Sequence, residues 1–80
     1  MPALTVQYFA ILREQRGLAQ EKLATSAVTP AALYEELRAR HGFTLPADGV
    51  RAAVNDEFVT ATVVLRDGDC VVFIPPIAGG

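Results

Sequence analysis

Cys70-Val71-Val72-Phe73-Ile74-Pro75-Pro76-Ile77-Ala78-Gly79-Gly80 is the stretch on which the reading of this chain turns. Its first five residues are apolar and suited to a strand, with Val71 and Phe73 pointing one way and Cys70, Val72 and Ile74 the other. A strand this apolar on both faces belongs in the interior of a sheet. Pro75 and Pro76 donate no backbone hydrogen bonds and hold φ near the polyproline value, so sheet pairing ends there and a stiff, extended exit begins. Beyond it, residues 77–80 form a short tail whose backbone spans at most roughly 13 Å, enough to enter a neighbouring protein's cleft.

Working back from that strand, Asp67-Gly68 is the kind of pair that makes a tight turn between strands. Two more strands flank Asn55-Asp56-Glu57: Arg51 to Val54 before it, and Phe58 to about Ala61 after it. The clearest helix runs from Pro30 to His41. Thr29 supplies an N-cap, Pro30 suits the first helical position, and Gly42 takes the left-handed conformation that ends it. Leu33 and Leu37 share a face with Tyr34 beside them, while Glu36 and Arg40 support the exposed side. At the start of the chain Leu4, Val6 and Tyr8 alternate with Thr5, Gln7 and Phe9, which predicts a half-buried strand. Ala10 to Arg16 reads as a short helical turn closed by Gly17. Ala19 to Thr25 is a weaker strand pairing back on the first. The order is strand, strand, helix, strand, strand, strand, and the first and last strands, the most apolar, are expected to be central. The expected fold is α+β: a mixed sheet of about five strands with one main helix across one face, a two-layer solution. Residues 1–76 make that domain and 77–80 its flexible tail.

Eighty residues, 51% of them hydrophobic, must be held by an apolar core, because one cysteine allows no internal disulfide. The apolar residues are spread out, not gathered into a membrane-length run, and no charged segment precedes an apolar one as in a signal peptide. With the single cysteine, this predicts a cytoplasmic protein and no membrane partner. One lysine and six arginines leave a net charge of −2, which argues against nucleic acid as a partner, since phosphate contacts call for a basic surface.

The tail carries the chemistry. Glycines at 79 and 80 let backbone and carboxylate pass through a narrow channel and approach a reacting centre closely. A terminal carboxylate, with an intrinsic pKa of about 3.3–3.7, is ionised at neutral pH and is a poor electrophile. Acyl chemistry there requires prior activation, for which adenylation by ATP is the usual route. Small terminal residues are also common for no chemical reason; the apolar strand and proline exit behind these give them weight.

In Phe9-Ala10-Ile11-Leu12-Arg13-Glu14, Ala53-Val54-Asn55, Leu65-Arg66-Asp67-Gly68-Asp69, Val71, Phe73 and the closing Pro75-Pro76-Ile77-Ala78-Gly79-Gly80, the sequence resembles the small, sulfur-carrying subunits of molybdopterin synthase. The likeness spans nearly the whole chain. Cys70 departs from it, since an acidic residue is common there. The resemblance implies a ubiquitin-like β-grasp fold and a chain that is not an enzyme on its own. An ATP-dependent adenylating enzyme would activate the Gly80 carboxylate, and a sulfur donor such as a cysteine desulfurase or a rhodanese would convert it to a thiocarboxylate. Gly79, Ala78 and Ile77 would then thread the active site of a large catalytic subunit, where sulfur passes to cyclic pyranopterin monophosphate to build the dithiolene. Two carriers at the ends of a large-subunit dimer would give a heterotetramer. The chain itself is expected to bind no cofactor. Alternatives within the same chemistry are a sulfur carrier for thiamine, cysteine or a tungsten cofactor; outside it stand a ubiquitin-like protein modifier and a plain interaction domain.

A partner surface follows from strand parity. Phe9 and Ile74 lie on the faces opposite the core residues of their strands, and the parallel first and last strands that a β-grasp sheet implies would place them near the same end. Phe58 is expected to join them, with Pro75 and Pro76 at the exit. Cys70 has no positioned base and is read as structural. His41 is read as a surface residue at a helix end. Asp67 and Asp69 supply too few ligands for a metal and fit turn chemistry.

Overall fold

The computed structural model describes residues 2–76. The alternation of Leu4, Val6 and Tyr8 becomes β1 (Ala3–Tyr8), with these three side chains buried and Thr5 and Gln7 half-exposed. Phe9 continues extended at φ −126°, and the chain then bends sharply through Ala10, at φ +52°, into α1 (Ala10–Arg16). Gly17, at φ +82°, closes that helix by donating its N–H to Arg13. β2 (Gln20–Ala24) returns antiparallel to β1.

The main helix is α2 (Pro30–His41), with the boundaries its caps predict. The Thr29 hydroxyl accepts from the Ala32 N–H at 3.1 Å, Pro30 occupies the first turn, and the N–H of left-handed Gly42 bonds to Arg38. β3 (Arg51–Val54), β4 (Glu57–Val59) and β5 (Cys70–Ile74) complete a sheet of order β2-β1-β5-β3-β4. β1 and β5 are interior and parallel to each other, and the other neighbours pair antiparallel. The five-stranded mixed sheet, the helix across it and the central first and last strands are as expected.

The main core cluster lies between α2 and one sheet face. Leu33, Tyr34 and Leu37 of α2 cluster with Leu4, Val6, Tyr8, Val71 and Phe73, and Leu12, Phe43 and Leu65 close the sides. Tyr34 meets Phe73 edge-on at 5.3 Å between centroids and stacks on Phe43 at 5.9 Å, contacts that add to simple burial. Thr25, the buried polar residue among the described ones, donates to Glu36 at 2.8 Å and accepts from the Ala27 N–H at 3.0 Å.

Two expectations are corrected. The fourth strand starts at Glu57 and ends at Val59, not Phe58 to Ala61. Asn55 and Asp56 both take positive φ, the twist a two-residue hairpin favours, so pairing resumes at once with Glu57 opposite Val54. Ala61 has left the sheet and accepts a hydrogen bond from the Ala31 N–H at the start of α2. Nor does Asp67-Gly68 join two strands, since no strand lies between Val59 and Cys70. The turn instead ties the chain back to β1: the Ala3 N–H donates to Asp67 Oδ1 at 2.7 Å and the Gly68 N–H to the Ala3 carbonyl at 2.8 Å. A single 3-10 turn at Ala47–Gly49 was not expected.

Candidate functional site: the end of β5 and the open sheet face

Among the described residues, the side of the sheet away from α2 carries no helix. Strand parity places on it Gln20 and Lys22 of β2, Thr5 and Gln7 of β1, Cys70, Val72 and Ile74 of β5, Arg51 and Ala53 of β3, and Phe58 of β4. Because Tyr8 pairs with Phe73 in parallel register, the next residues, Phe9 and Ile74, fall side by side where β5 hands over to Pro75. They line an apolar groove of about 610 Å³ with Ile11, Leu45, Pro75 and Pro76. Phe9 is 47% exposed, a large apolar ring left in solvent while Tyr8, Tyr34, Phe43 and Phe73 are buried.

Phe58 is on the same face but does not line this groove. It is 65% exposed on the outer strand, opposite Ala53, which itself pairs with Val72. The three sequence-predicted apolar residues therefore make a band across the face, Phe9 and Ile74 at the exit and Phe58 at the far edge, and not one cluster. Residues 77–80, which carry the predicted Ile77, Ala78, Gly79 and Gly80 sites, lie outside the described residues.

Sequence reasoning missed the polar groups that brace this site. On the core-side edge of β2, the Glu21 carboxylate takes a forked pair of hydrogen bonds from Arg16 of α1, both 2.8 Å, and a third from the Tyr8 hydroxyl at 2.7 Å. The pairing fixes α1, and hence the bend at Ala10, against the strands. At the other end of β5, Asn55 bridges β3 to the turn: its Nδ2 donates to Asp69 at 2.9 Å and its Oδ1 accepts from the Cys70 N–H at 3.0 Å. Asp69 also accepts from the Arg66 N–H at 2.8 Å. Cys70 sits half-buried within that bracing. Among the described residues no group of three or more His, Cys, Asp and Glu side chains is placed to hold a metal. A second cavity, about 430 Å³, lies on the core side between Pro30, Tyr34, Val50, Val59 and Phe73 and is chiefly apolar.

The Arg16 guanidinium, more than the Tyr8 hydroxyl, holds the Glu21 carboxyl down at about 2 against its usual 4.5, although burial opposes this. Burial first, and then Glu21, push the Tyr8 phenol far above its ordinary range. His41 is half-buried against Phe43, not a free surface residue, and burial lowers its pKa in spite of its helix-end position. Each shift has a consequence for stability. The lowered Glu21 favours the folded state above pH 4.5 and loses that contribution as pH falls towards 2; the lowered His41 opposes protonation, so its contribution declines below about pH 6.5. Urea midpoints should therefore fall from neutral pH downwards. Glu21→Gln should start lower at pH 7 and lose less between pH 4.5 and 2. Equal pH slopes for the two proteins would remove Glu21 as the cause.

The ThiS family matches this sequence over residues 6–80. The molybdopterin synthase sulfur carrier subunit of Escherichia coli K12 is 35% identical over 80 residues, covering 96% of this chain and 99% of that one. Among solved structures, the putative molybdopterin converting factor subunit 1 of Pyrococcus furiosus superposes with a TM-score of 0.78 at 30% identity, covering 96% of this chain and all of that one. A chain of the protein-protein complex of subunits 1 and 2 of the molybdopterin-converting factor from Helicobacter pylori shares the fold: TM-score 0.67 at 23% identity, with 98% of this chain and 99% of that one covered.

Proposed function

The chain belongs to the ThiS family, and from that premise we propose that it is the sulfur carrier subunit of a molybdopterin synthase. The observation that carries this reading is the 35% identity to the E. coli carrier along the full length of both chains. An interior strand that ends in two prolines beside an exposed apolar groove supports it, because such an arrangement aims a tail at whatever docks on the groove.

In this reading an adenylating enzyme joins the Gly80 carboxylate to AMP, with pyrophosphate leaving. The outer sulfur of a persulfide on a cysteine desulfurase or rhodanese displaces AMP at the same carbon. A thiol then cleaves the acyl disulfide so formed, leaving the thiocarboxylate on Gly80 and a disulfide on the donor side. Residues 77–80 enter the active site of the large subunit, the pterin takes the sulfur, and water restores the carboxylate. The chain contributes reach and a reactive end, while ATP binds the activating enzyme and catalysis belongs to the large subunit. A cytoplasmic setting goes with these partners.

Intact-mass measurement tests the reading. After incubation with ATP, an activating enzyme and a sulfur donor, the protein should gain the mass of one oxygen replaced by sulfur. No gain under conditions that load the E. coli carrier would refute it. Docking is tested separately by Phe9→Asp. A carboxylate in the middle of the groove should weaken binding to the large subunit by about 2 kcal/mol or more, the scale of a buried aromatic anchor, with the unfolding midpoint unchanged. Undiminished affinity in a titration would take Phe9 out of the interface.

A further inference from the structure

The charge on the open face runs against the charge of the chain. The protein as a whole carries −2. Yet the strand residues of this face include no Asp or Glu, and its two charged members, Lys22 and Arg51, are both cations. Both are exposed, and among the described residues neither lies within ion-pair distance of a carboxylate. The acidic side chains that do pair with cations, Glu21, Glu35 and Glu36, belong to the core-side edge of β2 and to α2.

Arg51 is also oriented. Its guanidinium carbon stands 5.1 Å from the centroid of the Phe58 ring, a cation–π arrangement that biases the head group towards the outer strand. Stacking by a guanidinium uses its flat face and leaves the N–H edges free to donate, which suits paired hydrogen bonds to a carboxylate. Arg51 pairs in register with Ile74, the last residue before the prolines, so this oriented cation stands beside the exit of the tail. Between Arg51 on β3 and Lys22 on β2 the face presents first Ala53 and Val72, both buried although no helix among the described residues covers them, and then the half-exposed Gln7 and Thr5 of β1.

We propose that the open face receives an acidic surface of the large subunit, with a carboxylate bound by the Phe58-stacked Arg51 and a second near Lys22, on either side of an apolar centre over Ala53, Val72 and Ile74. The inference rests on the carrier reading and adds to it the charge of the partner and the residues that recognise it. Arg51 then serves to set register. A partner carboxylate engaged beside Ile74 fixes where Pro75 starts and so how far residues 77–80 reach. The same charge pattern steers encounter, which makes docking salt-sensitive in a way that apolar contacts are not.

The test is calorimetric titration of the full chain with its cognate large subunit at about 50 mM and about 1 M salt, where the screening length falls to about 3 Å. Relative to the wild type, Arg51→Ala should bind about tenfold more weakly at low salt and Arg51→Glu about a hundredfold, with Lys22→Ala weakening binding less. At high salt the gap between wild type and Arg51→Ala should close to within about twofold. Arg51→Lys, which keeps the charge but loses the fork, should fall between wild type and Arg51→Ala. Wild-type affinity for Arg51→Glu would overturn the proposal and leave the carrier reading standing. A loss for Arg51→Ala that persists at 1 M salt would also overturn it, showing that Arg51 only props Phe58. Failure of the wild type itself to bind would count against the carrier reading and this inference together. Lys22 lies on a different strand, so its variant reports on the charge of the face independently of the Phe58 stack.

Discussion

One alanine added after Gly80 is expected to abolish sulfur loading and transfer while the domain unfolds at the wild-type urea concentration. The expectation follows from distances. The extension moves the proposed reactive carboxylate by one residue, about 3.5 Å along an extended chain, and puts a Cβ where the proposed channel admits glycine. A displacement of about 1 Å from productive geometry already costs on the order of a hundredfold in rate, so a shift several times larger should leave no measurable turnover. The core is built from residues between Leu4 and Phe73 and is untouched by the change. Intact mass after attempted loading and an unfolding curve on the same sample check the two halves of the prediction. Full activity from a protein whose extension is shown by mass to be intact would sink the assignment of Gly80.

What could be read from the sequence, and what could not, divides along the range of the interactions. The boundaries of α2 are set by Thr29, Pro30 and Gly42, each acting within one helical turn, and they were legible for that reason. β1 was legible from two-residue alternation and β5 from an unbroken apolar run closed by two prolines, and side-chain parity along them placed Phe9 and Ile74 on the face away from the core. That these two share a groove additionally needs β1 and β5 parallel, which came from the fold and not from any local signal. The interactions that were missed join distant residues. Asp67 accepts from Ala3 across 64 positions and Asn55 reaches Asp69 across 14, so Asp-Gly-Asp looked like a plain hairpin turn when it is a clamp on β1. The over-long fourth strand has a similar cause. Thr60 and Ala61 look fit for a strand, but the Ala61 carbonyl is used by the N-terminus of α2. Phe58 shares the open face with Phe9 and Ile74 without joining their groove, and its link to Arg51 was invisible, because it depends on a diagonal contact between antiparallel strands.

Phe73→Ala should have the largest effect on the fold, and its consequences test how closely fold and site are joined. Phe73 is 1% exposed on the middle strand of the sheet and packs edge-on against Tyr34 of α2. Truncating such a ring costs about 3–5 kcal/mol, from lost burial and from a cavity that the neighbours fill only in part. A domain of this size has about 4–12 kcal/mol in all, so the variant should be largely unfolded, or nearly so, in mild urea. Phe73→Leu, which keeps much of the volume, should cost about 1–2 kcal/mol and stay folded. The contrast with Phe9→Asp then separates two kinds of failure. Phe9 follows Tyr8 on β1 as Ile74 follows Phe73 on β5, but the groove ring faces out and the core ring faces in. The groove variant should lose the large subunit and keep its unfolding midpoint. Phe73→Leu should lower the midpoint and, under conditions where it is fully folded, bind and accept sulfur as the wild type does. If Phe73→Leu lost binding while folded, the core face of β5 would be setting the position of the Pro75-Pro76 exit directly, and the two faces of that strand could not be treated as independent. If Phe73→Ala kept the wild-type midpoint, the packing of α2 across β5 would not be what holds this domain together.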